Sequence, residues 1–118
     1  NYRIFRYADA ILMMAECYCN LENAEETMRY LNMVRQRAGV DPVTNFTGFE
    51  DLTLAVRCER ARELGGEFQR KFDLVRWGIA KEVLQAAGKN YQDKNALLPL
   101  PQTEIDKSNG VLVQNPDY

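Results

Sequence analysis

The sequence predicts an all-α fold with an extended, irregular C-terminal tail, in a single domain over residues 1–118. Two observations support this prediction. Apolar residues recur at helical spacing through residues 3–20 and 24–38, and only a short polar break separates the two stretches. From residue 89 onward polar residues and the prolines at 99 and 101 favour loops and extended backbone. We therefore expect a helix hairpin over about residues 3–38, further helices over about 50–87 and a tail over 89–118.

The first helix is predicted over about residues 3–20. A second side of this helix, with Phe5, Met13 and Tyr18, is apolar as well, so we expect the helix to be covered on more than one face. Its main apolar stripe consists of Ile4, Ala8, Ile11, Leu12, Ala15 and Cys19.

The second helix has sequence features of both a start and an end. Asn23 followed three residues later by Glu26 is a capping-box pattern. Gly39 stands where a helix-ending glycine is expected, and Val40 follows it as in a Schellman ending. Because so few residues join the two helices, we expect them to pack antiparallel. The stripe of the second helix consists of Ala24, Met28, Leu31, Val34, Arg35 and Ala38.

The rest of the chain is predicted from its glycines and prolines. Turn-forming residues over 41–48 indicate a loop, and a third helix follows from about residue 50 to residue 64. Gly65-Gly66 should interrupt this helix, and residues 67–76 are expected to resume it with Phe68 and Phe72 on one face. A short amphipathic helix over 79–87 completes the helical part. A small pair of strands is an alternative for part of the tail.

Composition argues against several classes of function. The net charge is -2, so no excess of positive charge exists to attract a nucleic acid. No stretch approaches the roughly 18 apolar residues needed to cross a bilayer. Histidine is absent, which removes the commonest general base and the commonest metal ligand. Cys17, Cys19 and Cys58 lack a metal-binding spacing and are interpreted as small, partly buried apolar residues.

Three glutamates recur every four residues, at Glu59, Glu63 and Glu67. Two of them, Glu59 and Glu63, could serve as the carboxylate pair of a glycosidase. Arginines at 57, 60, 62 and 70 are interleaved with them, a pattern typical of ion pairs on a helix surface. We favour the structural interpretation, and we predict no catalytic residue, no metal site and no cofactor.

Other charged residues stand among apolar neighbours, where a buried charge persists only if it is paired. We expect at least one partly buried network of arginine and carboxylate side chains that fixes helix register. Trp77 is expected in the core, although together with the tyrosines it could instead form a sugar-stacking platform. The residues predicted to be structural are Arg6, Asp9, Glu16, Glu59, Asp73, Arg76 and Trp77.

Four segments in order resemble the SusD/RagB family. Residues 6–16 are similar to its "RYADxLLMYAEA" helix, and residues 31–39 to its "LNxVRxRAG" segment. Residues 59–78 resemble "ERRxELAFEGxRxFDLxRWG", and residues 98–118 resemble "LLPIPQxEI…QNPGY". The match departs from the family at residues 65–68, where Gly-Gly-Glu-Phe replaces Ala-Phe-Glu-Gly.

The resemblance implies tetratricopeptide-like helix pairs, with residues 3–20 and 23–38 as one pair. It implies that the chain is the C-terminal part of a surface-exposed outer-membrane lipoprotein of Bacteroidetes whose N-terminal lipid anchor lies outside these residues. Members bind oligosaccharides or other nutrients, pass them to a SusC-like TonB-dependent transporter, and are not enzymes. The matched motifs do not contain the family's ligand-binding residues, so none is assigned, and the ligand site is expected largely outside this chain.

An alternative function is a stand-alone helical-repeat domain that binds a protein or peptide, which the hairpin over residues 3–38 would suit. Under either function, the first hairpin is expected to expose apolar surface when it lacks partner helices. Such exposure favours dimerisation or low stability.

Overall fold

The computed structural model describes residues 5–118 and divides the chain into two compact units, Asn1–Arg70 and Lys71–Tyr118. The described residues contain helices and no strand, which confirms the all-α prediction. The short strand pair suggested for the tail is therefore not formed within these residues. The sequence predicts a single domain over residues 1–118. The division into two compact units neither supports nor contradicts that prediction.

Unit 1 contains three long helices, and unit 2 contains shorter ones. In unit 1 the helices are α1 (Tyr7–Asn20), α2 (Ala24–Arg37) and α3 (Phe49–Glu63). The remaining elements are α4 (Arg70–Arg76), α5 (Ala80–Ala86), a 3₁₀-helix (Asp93–Ala96) and α6 (Gln102–Lys107).

Helix α1 starts later than the sequence predicts. Arg6 has extended backbone, with φ -119° and ψ 151°, so the helix begins at Tyr7, while residues 3 and 4 lie outside the described part. The expected second covered side is not found within the described chain, because Phe5 is 73% exposed and Met13 is 43% exposed. Tyr18 is half-buried and stacks on Tyr30, with 5.6 Å between ring centroids. The described residues of the main stripe are all buried, namely Ala8, Ile11, Leu12, Ala15 and Cys19.

The end of α2 forms as the sequence predicts, but only the Asn23 half of the capping box does, because the Asn23 N–H donates to the Tyr18 carbonyl and the Glu26 carboxylate pairs with Arg29. The Asn23 side chain accepts a hydrogen bond from the Glu26 backbone N–H at 3.1 Å. At the other end Gly39 has φ 70°, a left-handed conformation that glycine adopts without steric cost. The Val40 N–H donates to the Arg35 carbonyl and the Gly39 N–H to the Gln36 carbonyl, the two bonds of a Schellman ending.

The core of unit 1 lies between the hairpin and α3. Leu31 and Val34 of α2 are almost fully buried against α1, and Val56 brings α3 onto the same cluster. Aliphatic burial of this kind is the main favourable contribution to folding. The buried members of this cluster are Ile11, Leu12, Ala15, Leu31, Val34 and Val56.

The chain after α3 does not resume as a helix at residue 67, contrary to prediction. Gly66 has φ 82° and Phe68 has φ 63°, so two residues in the left-handed region interrupt the helix. Helix α4 consequently starts only at Arg70. Phe68 is 80% exposed and Phe72 is also exposed, so the apolar helix face expected there is not formed.

Unit 2 has a small core of its own at the joint between α4 and α5. Leu74, Ala80 and Tyr91 are buried together. The Gln85 side chain donates to the Tyr91 carbonyl at 2.8 Å and so ties the following loop to α5. Gly78, with φ 72°, provides the break between the two helices that the sequence indicates.

The tail of unit 2 is extended but closed by side-chain hydrogen bonds. The Gln114 amide pairs with both backbone groups of Leu100, accepting from N–H at 2.8 Å and donating to C=O at 2.9 Å. Asn115 donates to the Leu98 carbonyl at 2.6 Å. The Tyr118 hydroxyl lies 3.1 Å from the Leu97 carbonyl oxygen, to which it can donate. Because of these contacts residues 114–118 hold the segment 97–100 without a strand.

Replacing Leu12 by alanine tests the core of unit 1. We expect a loss of about 2–5 kcal/mol in the free energy of unfolding, because the truncation leaves a cavity in a fully buried position. Urea denaturation of the protein measures it. Met13→Ala is the matched control, since Met13 is the neighbouring residue of α1 and is exposed. Equal losses in the two variants would contradict the packing described.

Replacing Gln114 by alanine tests the closure of the tail. The backbone N–H of Leu100 loses its acceptor, so we expect its hydrogen exchange to accelerate about tenfold, the equivalent of one net hydrogen bond. Nuclear magnetic resonance exchange rates measure this directly. The same substitution at Gln36, which is exposed in unit 1, should leave the Leu100 rate unchanged. An unchanged rate in Gln114→Ala would show that the side chain does not hold the tail.

Candidate functional site

Charged side chains cluster where the beginning of α1 meets the ends of α2 and α3. The extended Arg6 donates from Nε to Glu67 Oε1 and from Nη1 to Glu63 Oε1, each at 2.8 Å, and from Nη2 to the Glu63 carbonyl at 2.8 Å. Arg37, at the end of α2, donates to the second carboxylate oxygen of Glu63. The hydrogen bonds to Glu67 and then Glu63 raise the pKa of Arg6 above its ordinary value. Arg6 therefore remains charged throughout the accessible pH range.

A second pair joins α2 to the middle of α3. Arg35 Nη1 donates to Glu59 Oε2 at 2.6 Å, and the side chains are 15% and 6% exposed. Arg62 Nη1 lies 3.8 Å from the same Glu59 oxygen. The buried carboxylate of Glu59 is thus paired mainly with a residue from another helix.

A third pair joins α1 to α3 in the interior. Asp9 Oδ1 lies 2.9 Å from Arg60 Nη1, and the side chains are 8% and 4% exposed. No hydrogen bond joins these two atoms, so the contact is an ion pair. A buried pair of this type holds two helices in one register, because neither charge tolerates losing its partner.

The arginines that pair with these glutamates come mainly from other parts of the chain than the sequence predicts. The glutamates of α3 and the turn after it were expected to pair along a helix surface with arginines 57, 60, 62 and 70. They accept hydrogen bonds from Arg6, Arg35 and Arg37, which lie 24 to 61 residues away in the chain, while Arg62 contacts Glu59 at 3.8 Å along α3 as expected. Arg35 was not among the residues predicted to be structural, although it stands within the apolar stripe of α2.

The remaining residues predicted to be structural are Glu16 in unit 1 and Asp73, Arg76 and Trp77 in unit 2. Glu16 is half-buried on α1. In unit 2, Arg76 Nε donates to the buried Asp73 carboxylate at 3.0 Å. The Arg76 guanidinium carbon lies 4.9 Å from the centre of the Trp77 ring, which is partly buried against the core of unit 2. Trp77 is therefore covered on one face by a cation and does not offer an open platform for stacking.

The carboxylates of this cluster are engaged by arginines. A glycosidase needs two carboxylates facing each other across a cleft. Here Glu59 is buried against Arg35, and both carboxylate oxygens of Glu63 accept from arginines. Within residues 5–118 no group of three or more acidic or cysteine side chains is placed to hold a metal ion. None of the helices in that range combines the length and apolar character needed to cross a membrane.

A groove of unit 1 lies beside the end of α2. It is an open groove of about 680 Å³ between α2 and the loop that follows it. Sequence reasoning did not find it, since its second wall is a loop whose path depends on tertiary contacts. The residues that line it are Arg29, Asn32, Met33, Gln36, Gly39, Val40, Asp41 and Pro42.

Comparison with known sequences places this chain among SusD-like proteins. The model described as the SusD family matches residues 1–118. SusD-like protein P25 of Formosa agariphila is 34% identical over 132 aligned positions, which cover 98% of this chain and 24% of that protein. SusD-like protein P2 of the same organism is 30% identical, and the alignment covers 100% of this chain and 26% of that protein. The chain thus spans about a quarter of the length of these curated relatives.

Solved structures give the same result. A SusD homologue from Bacteroides thetaiotaomicron superposes with a TM-score of 0.86 at 28% identity, covering 97% of this chain and 26% of that one. Surface glycan-binding protein A from Bacteroides thetaiotaomicron superposes with a TM-score of 0.78 at 34% identity. That alignment covers 98% of this chain and 24% of the glycan-binding protein.

Replacing Glu59 by glutamine tests the buried ion pair. The change removes one charge and leaves Arg35, whose side chain is only 15% exposed, without its main counter-ion, so we expect a loss of about 3 kcal/mol in the free energy of unfolding. Urea denaturation is the appropriate measurement, since urea adds no salt to screen the charges. Glu26→Gln is the matched control, because Glu26 pairs with Arg29 on the exposed side of α2. A loss no larger than in the control would rule out a stabilising role for the Glu59 pair.

Proposed function

Because the chain belongs to the SusD family, we propose that the protein is a glycan- or nutrient-binding component of an outer-membrane uptake system. This chain contributes mainly scaffold to that component. The family match over the whole chain carries the proposal, and the similarity to a surface glycan-binding protein at 34% identity supports it.

The use of the charged residues supports a binding role over an enzymatic one. The carboxylates that a hydrolase would need form ion pairs with arginines from other parts of unit 1. The protein on this proposal binds its ligand without transforming it and requires no cofactor. The arginine–carboxylate pairs and Trp77 then act as structural residues that maintain the shape of the helix pairs.

The partner and the location follow from the family. The partner is a SusC-like TonB-dependent transporter, to which the bound oligosaccharide or other nutrient passes. The protein is a surface-exposed lipoprotein of the outer membrane. Cys17, Cys19 and Cys58 are not the anchor, because they lie within α1 and α3, and Cys19 is buried against Thr53.

The full-length protein is expected to bind at least one neutral oligosaccharide and to co-purify with a TonB-dependent transporter. Isothermal titration with malto-, cello-, xylo- and mannohexaose measures binding, and mass spectrometry of the recovered sugar detects any hydrolysis. Sugar that is recovered intact supports the binding role.

Two results would contradict the proposal. Turnover of a bound sugar that is lost in Glu59→Gln would favour a hydrolase. Binding of a peptide or protein, with no sugar bound and no transporter recovered, would favour a stand-alone helical-repeat interaction domain.

A further inference from the structure

The groove beside the end of α2 has the size of a small-molecule site. Its volume of about 680 Å³ falls within the range of about 300–1,000 Å³ typical of ligand pockets. One wall is a face of α2, where Arg29, Met33 and Gln36 follow one another at helical spacing. The other wall is the loop that contains Val40 and Pro42.

The loop wall is held in place before any ligand arrives. The Asn32 side chain pairs with both backbone groups of Val43, donating to C=O and accepting from N–H, each at 2.8 Å. Arg35 Nε donates to the Asp41 carbonyl at 2.7 Å. With the helix ending at Gly39, these bonds attach the loop at three places. A preformed wall reduces the ordering entropy that binding must overcome.

The polar groups at the groove suit an uncharged, hydroxyl-rich ligand. The Gln36 amide and the Asp41 carboxylate make no side-chain hydrogen bond within residues 5–118, so their donors and acceptors are available. The positive charge of Arg29 is already engaged, because its guanidinium donates to both carboxylate oxygens of Glu26. Asp41 would repel an acidic ligand, and no unengaged cation of the groove wall compensates for it.

Apolar side chains form the rest of the groove surface. Met33 and Val40 are exposed and line the groove together with Pro42. Such side chains bury the C–H faces of a sugar ring, while the amide and carboxylate bond to its hydroxyls. We propose that this groove is a saccharide-binding subsite of the protein, specific for neutral sugars; the proposal rests on the proposed glycan-binding function.

The test uses the full-length protein and the neutral hexasaccharides named above. Combining Gln36→Ala with Asp41→Ala removes the two available polar groups, and we expect the dissociation constant of the bound sugar to rise about tenfold. Val40→Trp, which fills the groove from an exposed position, is expected to weaken binding similarly. Glu25→Gln is the matched control, because it removes one carboxylate from an exposed position of α2 outside the groove.

Hydrogen exchange of the unmodified protein gives an independent measurement. Added sugar is expected to protect the backbone of residues 36–43, and this result stands even if a variant fails to fold. Wild-type affinity in all variants, together with unchanged exchange in residues 36–43, would overturn the subsite and leave glycan binding by the protein intact. Absence of sugar binding in the unmodified protein would overturn both proposals.

Discussion

The organisation of unit 1 depends on one carboxylate, that of Glu63. Its two oxygens accept hydrogen bonds from Arg6 at the start of α1 and from Arg37 at the end of α2, while Glu63 itself ends α3. The side chain is only 8% exposed, so its charge could not be buried without these partners. Three helix ends are therefore required to meet at one point. Apolar packing supplies the driving force for folding, but it does not by itself select this arrangement.

Arginine suits this role for geometric reasons. The Arg6 guanidinium reaches two carboxylates and a backbone carbonyl from one planar group, which lysine could not do in a fixed orientation. The segments that resemble the SusD/RagB family contain these arginines and glutamates. The residues by which this chain resembles the family are therefore largely the residues whose contacts hold its fold. Residues that select a ligand need not belong to that set.

The features predicted correctly are those determined by residues that are close together in the chain. The stripe of α1 and the ending at Gly39 follow from residues close together in the chain, and both were predicted correctly. The partner of Glu59 is 24 residues away, at Arg35, and no periodicity within α3 indicates it. The break at Phe68 was missed because a positive φ at a non-glycine residue has no reliable sequence pattern. The groove was missed for a related reason, since its loop wall is positioned by Asn32.

Arg35 connects the scaffold to the groove. Its Nη1 binds Glu59 of α3, and its Nε binds the Asp41 carbonyl in the groove wall. In the motif that residues 31–39 resemble, Asn32, Arg35 and Gly39 are specified, and these residues position the wall. Met33 and Gln36, which line the groove, occupy positions that the motif leaves open. One helix can therefore keep the residues that position the wall unchanged while the side chains offered to a ligand differ, because the two sets occupy different positions of the motif.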